Sequence, residues 1–511
     1  MNNGKICVSV CAETADELIA RMKRAEKLAD VIEIRFDCLE SLEVEKVLSW
    51  LNTDKKSEKF ILVTFRQPEQ GGKKKLLSKY HIDFWSNTSV DKSADWADFE
   101  FDLDVDKFHL NFQKTIRSFH LFNRNLLTYS PNFLTEFYEK LKNTNDGSIF
   151  KIAVQADEIT DSISLWKLLE QAKKENKEII PIAMGEAGKW TRILGLAHGA
   201  LMTYAALEDG QETAPGQISA VDLIETYRVK ELDEQTEVYG IIGDNTSYSM
   251  SPYIHNAAFK FHNVNSVFVP FQVKNLDEFI KRFVRRKTRE IELNLKGFSV
   301  TIPHKQAIIK HLDFVDEVAQ KIGAVNTVKV VDGVLHGYNT DAEGFIEPLK
   351  NVYGDLKNAN VAVIGNGGAA RACIYALQRE GAKVTIYARD TKKAKKLADE
   401  FEASLAERTF KTSIFNTVDV VVNATPLGTI GELQNQTPAT AEQIKNAHLV
   451  YDLVYNPFET LFLREAKTVG VPTIGGLAML VAQAMAQFKL WTTLDAPMKE
   501  MSRAALRKLQ P

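Results

Sequence analysis

Residues 1–228 alternate short apolar or β-branched runs with stretches whose apolar residues recur at helical spacing. Strands joined by helices pair in parallel, so this alternation predicts an α/β fold with a parallel sheet covered by helices. Eight strand–helix units in a segment of this length favour a closed (β/α)8 barrel over an open sheet. The predicted strands are ICVSV (6–10), VIEIRFD (31–37), FILVTFR (60–66), DFEFDL (98–103), KTIRSFH (114–120), FKIAVQA (150–156), EIIPIAMG (178–185) and ALMTYAAL (200–207).

Ionisable side chains gather toward the C-terminal ends of these strands. In a barrel, one face of each strand points into the lumen, and active sites lie at the C-terminal mouth. An unpaired buried charge costs several kcal/mol, so six ionisable groups at one mouth indicate a functional site rather than packing. The six residues are Glu33, Arg35, Arg66, Glu100, His120 and Lys151.

The residue types indicate a reaction. A lysine that is desolvated inside an apolar strand and flanked by cationic groups keeps more of its amine uncharged, so Lys151 is a candidate nucleophile for a carbonyl. His120, on the preceding strand, can move a proton at neutral pH. Arginines nearby favour an anionic substrate that is bound bidentately. This set predicts proton abstraction beside a carbonyl that has been converted to an iminium.

Seven segments carry a family resemblance: EIRFD (33–37), TFR (64–66), DFE (98–100), SFH (118–120), FKIAV (150–154), MGEAGKWTR (184–192) and TAPGQI (213–218). With them the first half resembles the type I 3-dehydroquinate dehydratases. The resemblance implies that Lys151 forms an imine with the substrate ketone. It implies that His120 is the general base and then the general acid, and that Glu100 orients His120. The implied substrate contacts are Glu33, Arg35, Arg66, Arg192, Thr213 and Gln217.

A polar, charged stretch, RVKELDEQTEVYG (228–240), separates this half from the next. It contains no long Gly/Ser tether, so the halves are expected to be close neighbours. We place the boundary near 230–237. Because each candidate catalytic set lies within its own half, each half is expected to keep its activity when expressed apart.

The segment 359–390 reads as a buried strand, a glycine-rich turn at Gly365–Gly368, a helix and a second strand. This context is that of a dinucleotide-binding turn, in which glycines let the backbone approach a pyrophosphate at a helix N-terminus. The second strand ends in Ala388 and Arg389, without an acidic residue for a ribose 2′-hydroxyl. An arginine there favours NADP. The alternative is that Arg389 is a solvated surface charge.

Eight segments carry a second resemblance: SYSMSPYIHNAAF (247–259), GFSVTIPHK (297–305), GAVNT (323–327), GYNTDAEG (337–344), GNGGAARA (365–372), NATPLG (423–428), DLVYNPFETLFL (452–463) and GGLAMLVAQA (475–484). They resemble the shikimate dehydrogenases. The resemblance implies that Lys305 and Asp341 protonate a ketone oxygen while hydride arrives from the nicotinamide. The implied substrate contacts are Ser249, Ser251, Thr301, Asn326, Tyr455 and Gln483. The candidate cofactor contacts are Gly365, Asn366, Gly367, Gly368, Ala369, Arg389, Asn423 and Thr425.

Four regions follow: a barrel (1–230), a substrate-binding domain (238–345), a Rossmann-type NADP domain (346–474) and a C-terminal helical segment (475–511) that returns to the substrate domain. The leading hypothesis is a bifunctional enzyme that dehydrates 3-dehydroquinate and reduces 3-dehydroshikimate to shikimate. Two alternatives stay open. The second half acts on quinate, or one half is a non-catalytic interaction module.

Composition disfavours other classes. A net charge of −3 leaves no basic surface for nucleic acid, and no run of 18 apolar residues exists to cross a membrane. The strand-like start leaves no room for a targeting segment, and the ten histidines show no metal-ligand spacing. The cysteines lack a CxxC pair and are interpreted as buried thiols. We therefore expect a cytoplasmic, metal-free enzyme acting on small molecules. The cysteines are Cys7, Cys11, Cys38 and Cys373.

Overall fold

The computed structural model describes residues 2–54, 57–73, 78–87, 89–122, 133–142, 148–406, 415 and 417–510. The chain divides into two compact units. The first consists of Met1–Glu237 with Val269–Asn294, and the second of Val238–Phe268 with Leu295–Pro511.

The first unit is built on eight parallel strands that follow one another in sequence order, with β1 paired to both β2 and β8. The seam between β7 and β8 carries a backbone hydrogen bond from Leu201 N to Ile179 O (3.0 Å). The predicted barrel is therefore confirmed. Its strands are β1 (Lys5–Val10), β2 (Val31–Arg35), β3 (Phe60–Thr64), β4 (Trp96–Glu100), β5 (Lys114–Leu121), β6 (Ile149–Gln155), β7 (Ile179–Met184) and β8 (Met202–Ala206), and β9 (Ile218–Ser219) pairs with β8.

Helices of the first unit form from amphipathic stretches. In α1 (Ala15–Ala25) the charges also suit the helix dipole, because Asp16 and Glu17 occupy the first turn while Lys23 and Arg24 occupy the last. The helices here are α1 (Ala15–Ala25), α2 (Val44–Asp54), α3 (Ser78–Trp85), α4 (Val90–Ser93), α5 (Phe133–Lys142), α6 (Ile163–Lys174) and α7 (Lys189–Leu194).

The interpretation of all four cysteines as free thiols is wrong for two of them. Cys11, just after β1, forms a disulfide with Cys38, just after β2 and its short helical turn. Sequence spacing gave no signal for the pair because 27 residues separate them and only the barrel brings the strand ends together. Cys7 and Cys373 are free and buried, as expected.

The rest of the chain adds two sheets. One has the order β11-β10-β12-β14-β15-β13, and the other, entirely parallel, has the order β18-β17-β16-β19-β20-β21. The strands are β10 (Glu237–Gly243), β11 (Ser266–Gln272), β12 (Leu295–Val300), β13 (Phe314–Val315), β14 (Thr327–Val331), β15 (Val334–Tyr338), β16 (Asn360–Ile364), β17 (Lys383–Tyr387), β18 (Ser404–Leu405), β19 (Val420–Asn423), β20 (Leu449–Asp452) and β21 (Thr473–Ile474).

Helices flank these two sheets. They are α8 (Ser251–Phe261), α9 (Leu276–Phe279), α10 (Glu317–Ile322), α11 (Asp341–Tyr353), α12 (Gly368–Arg379), α13 (Thr391–Phe401), α14 (Ala441–Ile444), α15 (Leu461–Thr468), α16 (Gly476–Thr492) and α17 (Met498–Leu509). Helix α16 packs into the core of the β10-containing sheet, where Trp491 Nε1 donates to Val328 O (3.0 Å). Helix α9 belongs to the first unit, because it lies within Val269–Asn294.

Two candidate active sites

The barrel lumen changes from apolar to polar along several strands, among them β2, β4 and β6. Side chains two apart on a strand share a face, so each lumen-facing apolar residue is followed by a lumen-facing residue nearer the mouth. The apolar floor includes Val31, Trp96 and Ile149. Two residues further on, Glu33, Asp98 and Lys151 form a buried polar layer. Strand periodicity therefore places the charged groups together above a packed floor.

A pocket opens at this mouth of the barrel. Most of the predicted residues line it, namely Glu33, Arg35, Arg66, His120, Lys151, Arg192, Thr213 and Gln217. Ser9, Gln70 and Tyr204 also line it, and sequence reasoning missed them.

Lys151 is surrounded differently from the expectation. Its Nζ donates to Asp98 Oδ2 (2.8 Å), lies 3.9 Å from Glu33 Oε1 and sits 4.1 Å from the centroid of the Tyr204 ring. The nearest charged partners are thus carboxylates, and the prediction of flanking cations is wrong for these closest contacts. Burial alone would raise the pKa of the Asp98 carboxyl, but Arg66 and Lys151 together hold it well below its usual value. Asp98 therefore stays charged and fixes the lysine side chain.

His120 is suited to act as a base. Burial lowers the pKa of His120 well below its ordinary value, and the positive charges of Arg66 and Lys151 lower it further. Its Nδ1 is buried without a hydrogen-bond partner among the described residues, and its backbone N–H donates to Gln70 Oε1 (3.1 Å). A neutral imidazole with an open nitrogen can accept a proton from a ligand in the pocket.

Glu100 lies beside a different histidine from the one expected. Its Oε2 is 3.3 Å from His81 Nε2, and its Oε1 accepts from Gln67 N (3.0 Å) and lies 3.9 Å from Arg66 Nη1. These contacts hold the loop after β3 and the guanidinium of Arg66. The described contacts therefore do not bring Glu100 to His120, and its predicted orienting role has no geometric support.

The three arginines at the mouth have different surroundings. Arg35 is paired bidentately with the buried Asp37, at 2.8 Å for both bonds. Arg66 pairs with Asp98 at 2.6 Å. Arg192 donates only to carbonyls, those of Tyr204 (3.3 Å) and Pro215 (3.2 Å), and within the described chain no carboxylate neutralises it. Burial lowers the pKa of Arg192 to about 10, so it remains a cation at neutral pH.

A loop beside Arg192 completes the pocket. The Gln217 side chain accepts from Thr213 N (2.7 Å) and from Ala214 N (3.3 Å), while its Nε2 donates to Thr213 Oγ1 (3.1 Å). These bonds hold both predicted side chains at the pocket wall. Together with Arg192 they offer one charge and several hydrogen-bonding groups to a small polar anion.

The second site lies in the second unit. Lys305 Nζ donates to Asp341 Oδ2 (2.5 Å), and the other carboxylate oxygen accepts from Asn326 Nδ2 (2.8 Å). Asp341 begins α11, where its backbone N–H is capped by Asn339 (3.0 Å). The predicted lysine–aspartate pair is therefore formed, and Asn326 fixes the orientation of the carboxylate.

A cleft of about 670 Å³ surrounds this pair. It is lined by every predicted substrate contact of this half, namely Ser249, Ser251, Thr301, Asn326, Tyr455 and Gln483. Ser299 and Gln487 also line it, and both were missed. Ser299 Oγ donates to Gln487 Oε1 (2.9 Å), and Gln487 Nε2 donates to Thr327 Oγ1 (3.0 Å). The spacing of Gln483 and Gln487, one helical turn apart on α16, was the available signal.

The glycine-rich turn has the geometry that a dinucleotide requires. Gly365 has φ +135°, and a Cβ there would lie 2.7 Å from Ala424 O, so a larger residue would not fit. A Cβ on Gly367 would meet only open space, which leaves room for a phosphate against the N-terminus of α12. Ala369 lines the neighbouring cleft, and Asn366 Nδ2 donates to Asp390 O (3.4 Å).

The end of β17 carries Arg389, the residue predicted to favour NADP. Arg389 is exposed and pairs with no carboxylate in the described chain. Asp390 follows it, but its carboxylate accepts from Lys393 N (3.0 Å) as the cap of α13. Asn423 holds the facing loop, because its amide donates to Asp452 Oδ1 (2.8 Å) and its carbonyl accepts from Thr425 N (3.0 Å).

Within the described chain, no helix is both long and apolar enough to span a bilayer. The same residues contain no group of three or more His, Cys, Asp or Glu side chains placed to bind a metal ion.

Family models match both halves. Residues 6–234 match the model described as type I 3-dehydroquinase. Residues 241–328 match the shikimate dehydrogenase substrate-binding domain, 347–454 the shikimate/quinate 5-dehydrogenase domain and 476–506 the shikimate 5′-dehydrogenase C-terminal domain. The barrel with its buried lysine and the dinucleotide-type fold with its Lys–Asp pair thus define a lyase fused to an oxidoreductase.

Full-length similarity settles the family. The bifunctional 3-dehydroquinate dehydratase/shikimate dehydrogenase of Arabidopsis thaliana, named as chloroplastic, is 33% identical over 97% of this chain and 83% of that protein. The chain belongs to the family of bifunctional 3-dehydroquinate dehydratases/shikimate dehydrogenases.

Relatives of the second half alone are also similar. A shikimate dehydrogenase (NADP(+)) of Caldanaerobacter subterraneus subsp. tengcongensis is 43% identical, over 51% of this chain and 93% of that protein. A crystal structure of a shikimate dehydrogenase in complex with NADP+ has a TM-score of 0.51 and 37% identity, and covers 55% of this chain and 98% of that one.

Proposed function

We propose that the barrel converts 3-dehydroquinate to 3-dehydroshikimate through an imine on Lys151, and that the second unit reduces this product to shikimate with NADPH. The observation that carries the proposal is that each unit holds its own complete pocket, one with Lys151 beside His120 and one with Lys305 beside Asp341. We retain the regions 1–230, 238–345, 346–474 and 475–511 as the functional division of the chain.

In the barrel, the Lys151 amine attacks the substrate ketone, and loss of water gives an iminium. Asp98 and Glu33 hold the Lys151 side chain in place for this attack. Neutral His120 then removes a proton beside the iminium carbon and returns it to the departing hydroxyl. Hydrolysis of the product imine restores Lys151. The substrate carboxylate pairs with Arg192, the buried cation that lacks a carboxylate partner among the described groups.

In the second unit, Lys305 donates a hydrogen bond and then a proton to the ketone oxygen as negative charge develops there. Asp341 keeps the lysine charged and aimed, and Asn326 holds Asp341. Bound NADPH supplies the hydride. Gly365, Gly367 and Gly368 would admit its pyrophosphate, with Asn366 and Ala369 beside them. Asn423 and Thr425 would hold the facing loop. Ser249, Ser251, Thr301, Tyr455 and Gln483 would bind the carboxylate and hydroxyls of the substrate.

The replacement His120→Ala should leave imine formation intact and lower dehydration about 10²–10⁴-fold, the usual contribution of a general base.

In the unmodified protein, the lowered pKa of His120 should keep the base neutral as the pH falls through about 6.5, the ordinary histidine value. A profile of dehydratase kcat against pH measures this. The exposed His109, replaced by asparagine, is the control, and an acid limb centred on 6.5 would contradict the assignment.

The replacement Arg389→Asp should weaken NADP binding and narrow the preference for NADP over NAD. A carboxylate repels the 2′-phosphate and can accept from a free 2′-hydroxyl. Steady-state kinetics with both cofactors test it. Lys392 and Lys393 on α13 are further candidate contacts of the 2′-phosphate. The control is therefore Lys395→Asp on the same helix α13, which changes the net charge of the protein by the same amount as Arg389→Asp. Equal cofactor kinetics in Arg389→Asp and its control would refute the role of Arg389.

A coupled assay tests the whole proposal. Purified protein with 3-dehydroquinate and NADPH should form enone absorbance and then consume NADPH. A separate assay with quinate and NADP+ tests the alternative in which the second unit acts on quinate, because oxidation of quinate would form NADPH. Failure of one step alone would favour the reading in which that half is a non-catalytic module.

We also propose a cytoplasmic location, with small molecules as partners and no role for nucleic acid or metal.

A further inference from the structure

The segment Val269–Asn294, called here the 269–294 segment, lies in the half of the chain that matches the dehydrogenase models, yet it belongs to the compact unit that contains the barrel. Phe271, Phe279 and Phe283 are 1%, 0% and 4% exposed, so its apolar side is fully packed. The match to the type I 3-dehydroquinase model ends at residue 234. The segment therefore adds packing side chains to the barrel that are not part of the match to the type I 3-dehydroquinase model.

Three kinds of contact hold the segment on the barrel, one of which is the ion pair between Lys167 Nζ of α6 and Glu290 Oε2 (2.5 Å). Glu158, in the turn after β6, is buried, and its Oε2 accepts from Lys274 N (2.8 Å) and Asn275 N (3.1 Å) at the start of α9. On the other side, the Trp190 ring of α7 meets Phe283 edge-on at 5.8 Å between centroids and lies 6.4 Å from Phe271.

Trp190 is clamped between the segment and the barrel's own helices. Its ring lies 4.6 Å from that of Trp166 on α6, and its Nε1 donates to Ser162 Oγ (3.1 Å). Trp190 is fully buried, so its position leaves α7 little freedom. Arg192 lies two residues further along the same short helix. At about 100° per residue the two side chains point to nearly opposite sides, Trp190 into the segment and Arg192 into the pocket.

We propose that the 269–294 segment positions α7 through Trp190, so that Arg192 meets the carboxylate of the dehydratase substrate. Phe271 and Phe283 are then positioning residues of the dehydratase, supplied by the dehydrogenase half of the chain. The inference rests on the proposed role of Arg192 as the carboxylate anchor. The packing also argues against the expectation that residues 1–230 keep full activity when expressed apart, because such a cut removes the segment and uncovers Trp190.

The test uses the full chain and four variants: Phe283→Ala, the milder Phe283→Leu, Arg192→Ala, and Glu278→Gln as control. Glu278 lies on the same segment, in a partly exposed ion pair with Lys281 of that segment. Phe283→Ala should raise the KM for 3-dehydroquinate about tenfold, since a misplaced arginine loses much of a charge-assisted bond. Its dehydratase kcat, its borohydride trapping at saturating substrate and its dehydrogenase constants should stay near those of the control. Phe283→Leu should show a smaller rise in KM.

Three results would contradict the proposal, and each has a different meaning. If Arg192→Ala raises the KM and both Phe283 variants match Glu278→Gln, the segment does not position the arginine. A proportional fall of kcat in both reactions, with unchanged KM, would make the packing purely structural and would also overturn the inference. If Arg192→Ala leaves the KM unchanged, the anchor assignment itself fails.

Discussion

Replacing Lys151 by alanine should abolish the dehydratase reaction and leave the dehydrogenase reaction near normal. Loss of a covalent nucleophile lowers turnover on the order of 10⁴–10⁶-fold. The amine is the only group assigned to bond the substrate, and Asp98 and Glu33 hold it in place without replacing it. Borohydride added with the substrate or product should trap an adduct on Lys151 in the unmodified protein. Mass spectrometry of the trapped protein, together with both activity assays, measures the result.

The exposed Lys114, which pairs with Glu178 at the other end of β5, offers a matched control. Lys114→Ala should keep the adduct and the activity. An adduct on a different lysine, or turnover by Lys151→Ala within tenfold of normal, would eliminate the imine mechanism.

Lys305→Ala and Asp341→Asn should each slow reduction of 3-dehydroshikimate about 10²–10⁴-fold. The first removes the proton donor, and the second weakens the charge that keeps the donor protonated and aimed. Neither residue lies in the barrel, so dehydration should be unaffected. NADPH oxidation followed in single turnover gives the rate, and a fluorescence titration gives the affinity for NADPH.

Lys321, in an exposed ion pair with Glu317, provides a lysine control in the same unit. NADPH affinity should hardly change in any of these variants. A loss of affinity that matched the loss of rate would mean that the pair serves binding rather than proton transfer.

The fold of the barrel was readable from sequence because its strands are short, regularly spaced and bounded by amphipathic helices. Each of the eight predicted runs overlaps a strand of the barrel, with ends shifted by a few residues. The packing of the 269–294 segment could not be predicted from the sequence. Phe279 and Phe283 are four residues apart, a helical spacing that predicts a buried face but not the partner that buries it. Sequence distance between Phe283 and Trp190 carries no signal of their contact.

The sequence predicted which residues line the candidate sites better than it predicted which of these side chains contact each other. Glu100 was predicted as a site residue because it is a carboxylate within an apolar run. Asp98, two residues earlier on the same strand face, is instead the group that accepts the hydrogen bond of Lys151. Periodicity placed both on the lumen side but could not rank their depth. Partner choice depends on the strand register across the barrel, where Lys151 lies opposite Ser118 on β5, and Ser118 in turn lies opposite Glu100 on β4.

The Cys11–Cys38 bond gives the two units unequal responses to their surroundings. A cross-link that closes a loop of 27 residues lowers the entropy of the unfolded chain, which in the chain-entropy model stabilises the fold by about 3–4 kcal/mol. That amount is a large share of the stability of a typical domain. In the second unit, Cys373 is a buried free thiol. Reducing conditions that break the Cys11–Cys38 bond would therefore alter the unfolding equilibrium of the barrel and leave that of the second unit unchanged.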